Sequence, residues 1–452
     1  MNGTIAPGPT GRPLVGSLFD WRRTPAEFLL RLQRDHGEVV RMKLGPYLVH
    51  LVTEPDAVHR VLVGNHHNYD RGKLYDQFKL VMGTGLLTTD GPAWRSHRRA
   101  VQPLFLNRAI GAILPNVIES THQMLDRWEV AAARGEPVDL IGEMLQLTLV
   151  TLSRSLFGYD PGAAVAEMKR TVDAGIELMF THGLLSEQLP EWIPNARNRQ
   201  IRATRRFFDR LVDDIRSNHH RTGQGQLVEL METARDPVDG RAWTDREIRD
   251  ELLTVYLAGH ETTAAAACWA LYALSGHRWA AEELTAEVDQ VLAGRAPTLA
   301  DTERLTYTGQ VIQEALRLYP PIWTFPRGVV ADDELAGRHV PAGSSILISP
   351  LVSHRNPRIW DNPDAFDPAR FAGDAARRLP RLSYLPFGGG PRMCVGNLMA
   401  LLELKVIVAL VSQRFQLQTV PGDFVRYGHS VISLRPQGRL LVTPKPRVGA
   451  AA

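Results

Sequence analysis

The apolar positions of the chain recur mostly with the spacing of an α-helix. This spacing fills most of residues 94–180 and resumes over residues 198–218, so both stretches predict amphipathic helices. Residues 223–240 are rich in polar side chains and predict a surface connection. Helices therefore account for most of the predicted fold.

Runs typical of β-strands are fewer and shorter. Val39–Leu44 and Tyr47–Val52 flank a Gly-Pro pair and predict a β-hairpin. Two later runs, at residues 343–348 and 438–442, predict small sheets at the periphery. The whole pattern predicts a mainly α fold with minor β-sheets.

One predicted helix is longer and more apolar than the others. Thr244 and Glu247 have the spacing of a capping box, and helical spacing continues from there for roughly 30 residues. Residues 252–274 are apolar on nearly all sides, but His260 and Glu261 interrupt them near the middle. A membrane span is one interpretation, but an acid in the middle favours a helix that crosses the protein core.

Composition narrows the class of protein. The chain has 452 residues, 44% of them hydrophobic and 22% charged, with a net charge of +3, and nothing in it indicates nucleic-acid binding. No linker, charge block or repeat divides it, so we predict one domain over residues 1–452 with a Pro-rich lead-in over residues 1–20.

The two cysteines, Cys268 and Cys394, form no disulfide framework. We therefore expect a cytoplasmic protein without a transmembrane segment.

The most informative segment is 387–396, which places a cysteine in a glycine-rich turn before an apolar helical run. The N-terminus of a helix favours a thiolate at Cys394 through its free N–H groups and its dipole. Glycines allow a flat ligand to approach the backbone. Arg392 supplies a cation for an acidic group on that ligand. Together these features suit a haem that is held by sulfur.

Two other interpretations compete with this one. A buried cysteine is usually an inert apolar side chain, but the pattern Phe-x-x-Gly-x-Arg-x-Cys-x-Gly fixes five positions at once. A phosphate-binding loop requires Gly-Lys-Ser or Gly-Lys-Thr after its glycines, and the chain has Pro391, Arg392 and Met393 there. The pattern therefore favours haem.

Segment 387–396 resembles the haem-binding signature of the cytochromes P450, and the other main motifs follow in that family's order. The resemblance implies a bound haem b (iron protoporphyrin IX) with Cys394 as the metal ligand. It also implies haem contacts from Phe387, Gly388 and Gly396.

The long helix carries a second motif at residues 258–263, Ala-Gly-His-Glu-Thr-Thr. A satisfied polar pair that bends the helix is one interpretation. The segment also resembles the family's oxygen-activation motif. That resemblance implies that Thr262 hydrogen-bonds dioxygen and that Glu261 relays protons to it. It further implies that Ala258 and Gly259 lie beside the haem, where Gly259 leaves a groove for oxygen.

Charged residues form a third group. Glu314 and Arg317 stand at i, i+3 on a predicted helix, where a surface ion pair would be weak. With Arg370 they resemble the family's Glu-x-x-Arg pair and its partner arginine. The resemblance implies a buried cluster behind the cysteine loop, with a structural role.

The two haem propionates require cations or donors. Trp94 and Arg98 lie at i, i+4 on one predicted helix face, so both can meet one ligand, and they resemble the family's Trp-x-x-x-Arg element. The resemblance also assigns the propionates to Arg392, Arg327 and His354. For the last two, ordinary surface residues are the alternative.

The family's variable stretches supply the expected substrate contacts. They contain few charges, so we predict a mainly apolar substrate, such as a terpenoid, fatty-acid or polyketide-like molecule of secondary metabolism. The residues expected to contact it are Phe78, Met179, Phe180, Leu184, Trp323 and Ile432.

These features predict a haem-thiolate monooxygenase that hydroxylates a small molecule with O2 and two electrons. We expect the electrons from a separate ferredoxin and ferredoxin reductase, or from a flavodoxin-type donor, and we expect a monomer. A haem-thiolate isomerase, dehydratase or peroxygenase is one alternative, and a haem-based sensor or carrier is another. The pair of Glu261 and Thr262 favours the monooxygenase.

Overall fold

The computed structural model describes residues 3–162, 165, 167, 170–171, 192–236, 240–420 and 433–447. Helices dominate, and the mainly α prediction is confirmed. The α-helices are α1 (Leu18–Arg23), α2 (Pro25–His36), α3 (Pro55–His59), α4 (Asp76–Met82), α5 (Gly91–Val101), α6 (Asn107–Ile110), α7 (Leu114–Ala133), α8 (Leu140–Phe157), α9 (Ala196–Thr222), α10 (Gln226–Thr233), α11 (Asp245–Gly276), α12 (Arg278–Leu292), α13 (Leu299–Arg304), α14 (Thr306–Leu318), α15 (Pro350–Ser353) and α16 (Asn397–Arg414).

Eleven short strands form three sheets in the described part of the chain. A five-stranded sheet has the order β2-β3-β9-β6-β4, and two three-stranded sheets have the orders β1-β8-β7 and β10-β11-β5. The strands are β1 (Thr4–Ile5), β2 (Val39–Leu44), β3 (Tyr47–Val52), β4 (Tyr69–Asp70), β5 (Val138–Asp139), β6 (Phe325–Val329), β7 (Asp333–Leu335), β8 (Arg338–Val340), β9 (Ser345–Ile348), β10 (Phe415–Thr419) and β11 (Leu441–Pro446).

The predicted hairpin is confirmed with its bounds, because β2 and β3 pair antiparallel from Val39 opposite Val52 to Leu44 opposite Tyr47. The expectation that the run at 343–348 forms a peripheral sheet is wrong. Strand β9 lies in the middle of the largest sheet, parallel to β3, and Ile346 is fully buried. Parallel pairing between strands so distant in sequence leaves no local signal.

The predicted surface connection over residues 223–240 is also wrong in part. Helix α10 occupies its first half and buries Leu227, Val228 and Met231 completely. These side chains lie at i, i+1 and i+4, so one apolar face packs into the core although the stretch is polar overall.

Helix α11 crosses the interior as expected. Thr244 caps its N-terminus by accepting a hydrogen bond from the Glu247 N–H, and the Glu247 carboxylate accepts one from the Thr244 N–H. The largest apolar core surrounds this helix and includes residues from α7, α8, α12, α14 and α16. Neither α11 nor any other helix of the described residues combines the length and apolarity needed to cross a bilayer.

Helix α14 ends in a buried ion pair. Glu314 and Arg317 are both 0% exposed and form two parallel hydrogen bonds, of 2.7 and 2.8 Å. The remaining Arg317 donors reach the carbonyl oxygens of His354, Pro363 and Ala365. Burial raises the pKa of Glu314, and the Arg317 guanidinium opposes that shift. Such a pair is stable only because every donor is satisfied.

Further bonds connect this pair to the chain that leads into the cysteine loop. The Asp367 N–H donates to Glu314 Oε1 at 2.8 Å, and Arg370 Nε lies 3.5 Å from the same oxygen. His354 is fully buried, and its Nε2 accepts a hydrogen bond from the Leu385 N–H at 2.9 Å. The three predicted members of the cluster, Glu314, Arg317 and Arg370, thus lie together.

Removal of the Glu314 carboxylate tests how much the pair contributes to the free energy of unfolding. We expect Glu314→Ala to lower the free energy of unfolding by about 3–5 kcal/mol, because the guanidinium of Arg317 would stay buried without an anion. The matched control is Glu282→Ala, which breaks the exposed Arg278–Glu282 pair on α12 and should cost about 0.5 kcal/mol or less. Equal losses in denaturant titrations of the two variants would contradict this account.

Candidate active site

The cysteine loop joins a short 3-10 turn, Gly390–Arg392, to helix α16. The Cys394 N–H donates to the Phe387 carbonyl at 3.0 Å, which closes the loop. The side chain of Cys394 is exposed to a cavity of about 670 Å³. Phe387, Gly388 and Gly396 line the same cavity, so the predicted residues of this motif share one surface.

Two glycines of this loop have different roles. Gly388 has a φ of +72° and nothing within 4 Å of where a Cβ would stand. Gly390 has a φ of +68°, and a Cβ there would lie 1.9 Å from the carbonyl oxygen of Leu62, in the π-helical turn Arg60–Gly64. Glycine at 388 keeps the cavity floor open, whereas glycine at 390 lets the loop pack against that turn.

Burial of Cys394 opposes the contribution to a thiolate that the sequence predicts from the helix N-terminus. Desolvation by the surrounding loop raises the pKa of the Cys394 thiol, and the Gly396 N–H and the Arg98 guanidinium only partly oppose that shift. A bound metal cation would reverse the balance, because coordination deprotonates a thiol.

Helix α11 forms the wall opposite the loop. Ala258 and Thr262 lie at i, i+4 on its cavity side, and the Thr262 hydroxyl donates to the Ala258 carbonyl at 2.9 Å. Glu261 also lines the cavity but is almost fully buried. A Cβ at Gly259 would lie 3.0 Å from Leu152 Cδ1, so this glycine permits the close approach of α8 as well as lining the cavity.

Three arginines converge at one end of the cavity. Arg71, Arg327 and Arg392 all line it, and the hydroxyl of the buried Tyr75 accepts a hydrogen bond from Arg71 at 3.2 Å. Burial, followed by repulsion from Arg71, lowers the pKa values of Arg327 and Arg392 to about 10. Burial raises the pKa of Tyr75, but the two neighbouring guanidinium groups outweigh it, and the net shift is downward.

The charges of this cluster are only partly balanced. Arg392 pairs with Asp90, which adds one carboxylate. Arg392 Nη1 and Arg71 Nε are buried and have no hydrogen-bond partner. Orphaned cationic donors beside a cavity indicate a ligand with acidic groups at that end. The residues present would suit a flat macrocycle that carries two carboxylates: Cys394 would supply a sulfur ligand, and the arginines would bind the carboxylates.

Helix α5 supports the cationic end from outside the cavity wall. Trp94 stacks on the Arg392 guanidinium at 4.5 Å, and Arg98 Nη1 donates to the Met393 carbonyl at 2.7 Å. His97 of the same helix bonds to the buried carboxylate of Glu251 on α11, with 2.6 Å between Nδ1 and Oε2. Trp94 and Arg98 therefore hold Arg392 and the loop in place rather than lining the cavity.

Several predicted contacts fall elsewhere. His354 lies outside the cavity wall. Both its ring nitrogens contact backbone groups, of Leu385 and Arg317, so neither nitrogen faces the cavity. Burial lowers its pKa to about 3. Trp323 packs against Trp21 in the core, and its neighbours Ile322 and Thr324 line the cavity instead.

The other predicted substrate contacts divide into two groups. Phe78 lines the cavity, next to Tyr75. Met179, Phe180, Leu184 and Ile432 lie outside the described residues.

Two buried charged residues at the cavity have no counterpart in the sequence predictions. Arg71 follows β4, and only the pairing of β4 with β6 brings it beside Arg327. Glu403 on α16 is buried at the cavity, its Oε1 has no partner, and burial raises its pKa to about 8. Glu403 could have been predicted from the sequence, because it is the one acidic residue in an apolar helical run. No neighbouring residue distinguishes Arg71 in the sequence.

Comparison with known proteins defines the class. The sequence model of the family described as Cytochrome P450 matches residues 6–442. Cyclooctatin synthase from Streptomyces melanosporofaciens is 37% identical over 98% of this chain and 96% of its own length. Pentalenene oxygenase from Streptomyces avermitilis is 30% identical over 93% of this chain and 92% of its own. The solved haem domain of cytochrome P450DA superposes with a TM-score of 0.89, at 25% identity over 99% of this chain and 98% of that domain.

The chain therefore belongs to the cytochrome P450 family. It is a haem-binding monooxygenase, as the resemblance implied. A second relative, cyclooctat-9-en-7-ol 5-monooxygenase from Streptomyces melanosporofaciens, is 33% identical over 93% of this chain and 91% of its own length.

The contact between Gly390 and Leu62 gives a test of the loop. We expect Gly390→Ala to lower the unfolding temperature of the protein and its haem content, because the new Cβ would displace the π-helical turn. Gly373→Ala is the control, since Gly373 also has a positive φ but open space around its Cβ position. The control should cost only the backbone strain, about 1–2 kcal/mol. Thermal unfolding followed by circular dichroism would contradict the account if both variants lost the same stability.

Proposed function

We propose that the chain hydroxylates a mainly apolar small molecule, with Cys394 as the sulfur ligand of the haem. The observation that carries the proposal is that the Cys394 thiol and the Thr262 wall of α11 face one cavity, which has unbalanced arginines at one end. When bound, the haem supplies an iron centre that activates dioxygen with two electrons. The roles below belong to this chain's own residues.

The arginines orient the cofactor. Arg71, Arg327 and Arg392 present guanidinium groups that can each donate to a propionate oxygen. Trp94 stacks on Arg392 and fixes its plane, while Arg98 bonds to the backbone one residue before the cysteine. Glycine at 388 leaves room for the macrocycle. Phe387 and Gly396 complete the floor of the site.

The acid and the alcohol on α11 move protons. The Thr262 hydroxyl stands at the cavity and bonds to the Ala258 carbonyl, so rotation about its C–O bond turns its proton toward the oxygen substrate. Glu261 is the adjacent carboxylate, and it can return a proton to Thr262 after each transfer. The closely packed helices α8 and α11 limit the entry of water on that side.

The cavity wall favours an apolar substrate. Away from the arginines it consists mainly of aliphatic and aromatic side chains, such as Phe78, Val81, Leu87, Leu152 and Phe208. The names of the relatives, cyclooctatin synthase and pentalenene oxygenase, support a terpenoid as the first of the three substrate classes and a place in secondary metabolism.

The electrons come from a separate donor in this proposal, a ferredoxin with its reductase or a flavodoxin-type protein. Arg95 and Arg99 are exposed on α5, beside the Arg98–Met393 contact, and suit an acidic partner. That the enzyme is a cytoplasmic monomer stays a prediction. The two free thiols accord with a reducing compartment.

Reconstituted turnover tests the function. With ferredoxin, its reductase and NAD(P)H, we expect steady hydroxylation, and we expect Thr262→Ala to lower the product formed per NAD(P)H by about tenfold or more while peroxide release rises. Thr121→Ala is the control, because its hydroxyl bonds to the Val117 carbonyl four residues earlier in the same way but does not line the cavity. Turnover with peroxide alone would indicate a peroxygenase, and ligand binding without turnover would indicate a sensor or carrier.

Optical titration tests the substrate class. Terpenoid hydrocarbons should shift the Soret band of the haem-loaded protein, and Phe78→Ala should raise their dissociation constant by about 5- to 30-fold, because apolar contact area is lost. Phe19→Ala removes the same side chain from an exposed site and should leave affinity unchanged. Shifts caused only by charged metabolites would contradict an apolar substrate.

A further inference from the structure

The carboxylate of Glu261 is held from outside its own helix. Ser433 Oγ donates to Glu261 Oε1 at 2.5 Å, and Arg435 Nη1 lies 4.0 Å from the same oxygen. Ser433 is 0% exposed, and Glu261 is 5% exposed. The Ser433 contact therefore lies within the protein, where a hydrogen bond to a carboxylate is strong and its loss is costly.

Leu434, which lies between these two residues, is anchored by backbone hydrogen bonds to two other parts of the fold. The indole N–H of Trp269, about two turns beyond Glu261 on α11, donates to the Leu434 carbonyl at 2.6 Å. The Leu434 N–H donates to the Pro321 carbonyl at 2.8 Å, and the Leu434 side chain is buried. Because the backbone between Ser433 and Arg435 is anchored, their side chains reach Glu261 from a defined direction.

Solvent exposure increases from the Glu261 side chain to the Arg435 side chain. The side chain of Glu261 is 6% exposed, and that of Arg435 is 23% exposed. The guanidinium thus lies between the buried carboxylate and solvent. A guanidinium keeps its own proton, so Arg435 attracts the carboxylate and orders nearby water but does not donate a proton itself.

We infer that Ser433 and Arg435 are positioning residues that hold Glu261 at the outer end of the proton route. In this scheme water beside Arg435 gives a proton to the Glu261 carboxylate, and Glu261 passes it to the Thr262 hydroxyl, which has given its own proton to the oxygen substrate. Each side chain ends the cycle in its starting protonation state, and solvent is the net donor. The inference rests on the proposed function, which assigns proton transfer to Glu261 and Thr262.

The test compares four variants in coupled turnover. We expect Ser433→Ala and Arg435→Gln to lower the product formed per NAD(P)H by roughly three- to tenfold, less than loss of an acid–base group itself. The solvent deuterium isotope effect on product formation should rise in both. Ser433→Thr, which keeps the hydroxyl, and Arg435→Lys, which keeps the charge, should restore most of the coupling. A merely structural role would not produce this rescue.

The matched control is Arg439→Gln. Arg439 belongs to the same C-terminal segment, is 73% exposed, and lies 3.8 Å from Asp139 rather than near Glu261. It should leave coupling and isotope effect unchanged. If Ser433→Ala and Arg435→Gln form as much product per NAD(P)H as the unaltered enzyme while Glu261→Gln forms less, this inference fails but the proposed function stands. Wild-type coupling in Glu261→Gln and Thr262→Ala would overturn the proposed function as well.

A second readout needs no turnover. In thermal unfolding of the haem-loaded protein, Ser433→Ala and Glu261→Ala should be non-additive, because each removes one partner of the same hydrogen bond. The double variant should then lose little more stability than the more damaging single variant. Additive losses would show that the two side chains are not coupled in solution and would overturn the inference.

Discussion

The buried pair of Glu314 and Arg317 determines where the chain can run behind the cavity. Two opposite charges with no exposure to solvent are tolerated only when all their donors and acceptors are satisfied. The Arg317 donors therefore require carbonyl groups at three points between residues 354 and 365, and Glu314 requires the Asp367 N–H. His354, whose carbonyl bonds to Arg317, also accepts a hydrogen bond from the Leu385 N–H. Leu385 lies two residues before Phe387, whose carbonyl accepts the hydrogen bond from the Cys394 N–H. A single charged interaction thus connects helix packing to the position of the sulfur.

The cavity presents the converse arrangement, in which charges are left unbalanced. Three arginines gather at one end against one carboxylate, and two of their nitrogen atoms are buried without partners. Desolvation also raises the pKa of the Cys394 thiol. A metal macrocycle with acidic side groups would supply both a cation for the sulfur and anions for the arginines. We conclude that the site is built to be completed by its cofactor, and that cofactor binding contributes to the stability of the folded chain.

Sequence patterns predicted the features that depend on neighbouring residues. The hairpin of β2 and β3, the capping box of α11 and the cysteine loop are all local, and the structure has them. The central position of β9 and the recruitment of Arg71 depend on strand pairing across more than 200 residues of chain, which periodicity does not encode. His354 and Trp323 have the residue types of ligand contacts, but tertiary packing turned them into the core. The pairing of Ser433 with Glu261 is long-range in the same sense.

The central claim is that the sulfur of Cys394 binds the haem iron as an anion. The ferrous carbon monoxide spectrum measures this most directly, because a thiolate ligand moves the Soret maximum to longer wavelength. The account predicts that shifted maximum for the purified protein and for Cys268→Ala, which removes the other, fully buried thiol. It predicts loss of the shift in Cys394→Ser. A normal shifted maximum in Cys394→Ser, or its absence from the unaltered protein, would contradict the account.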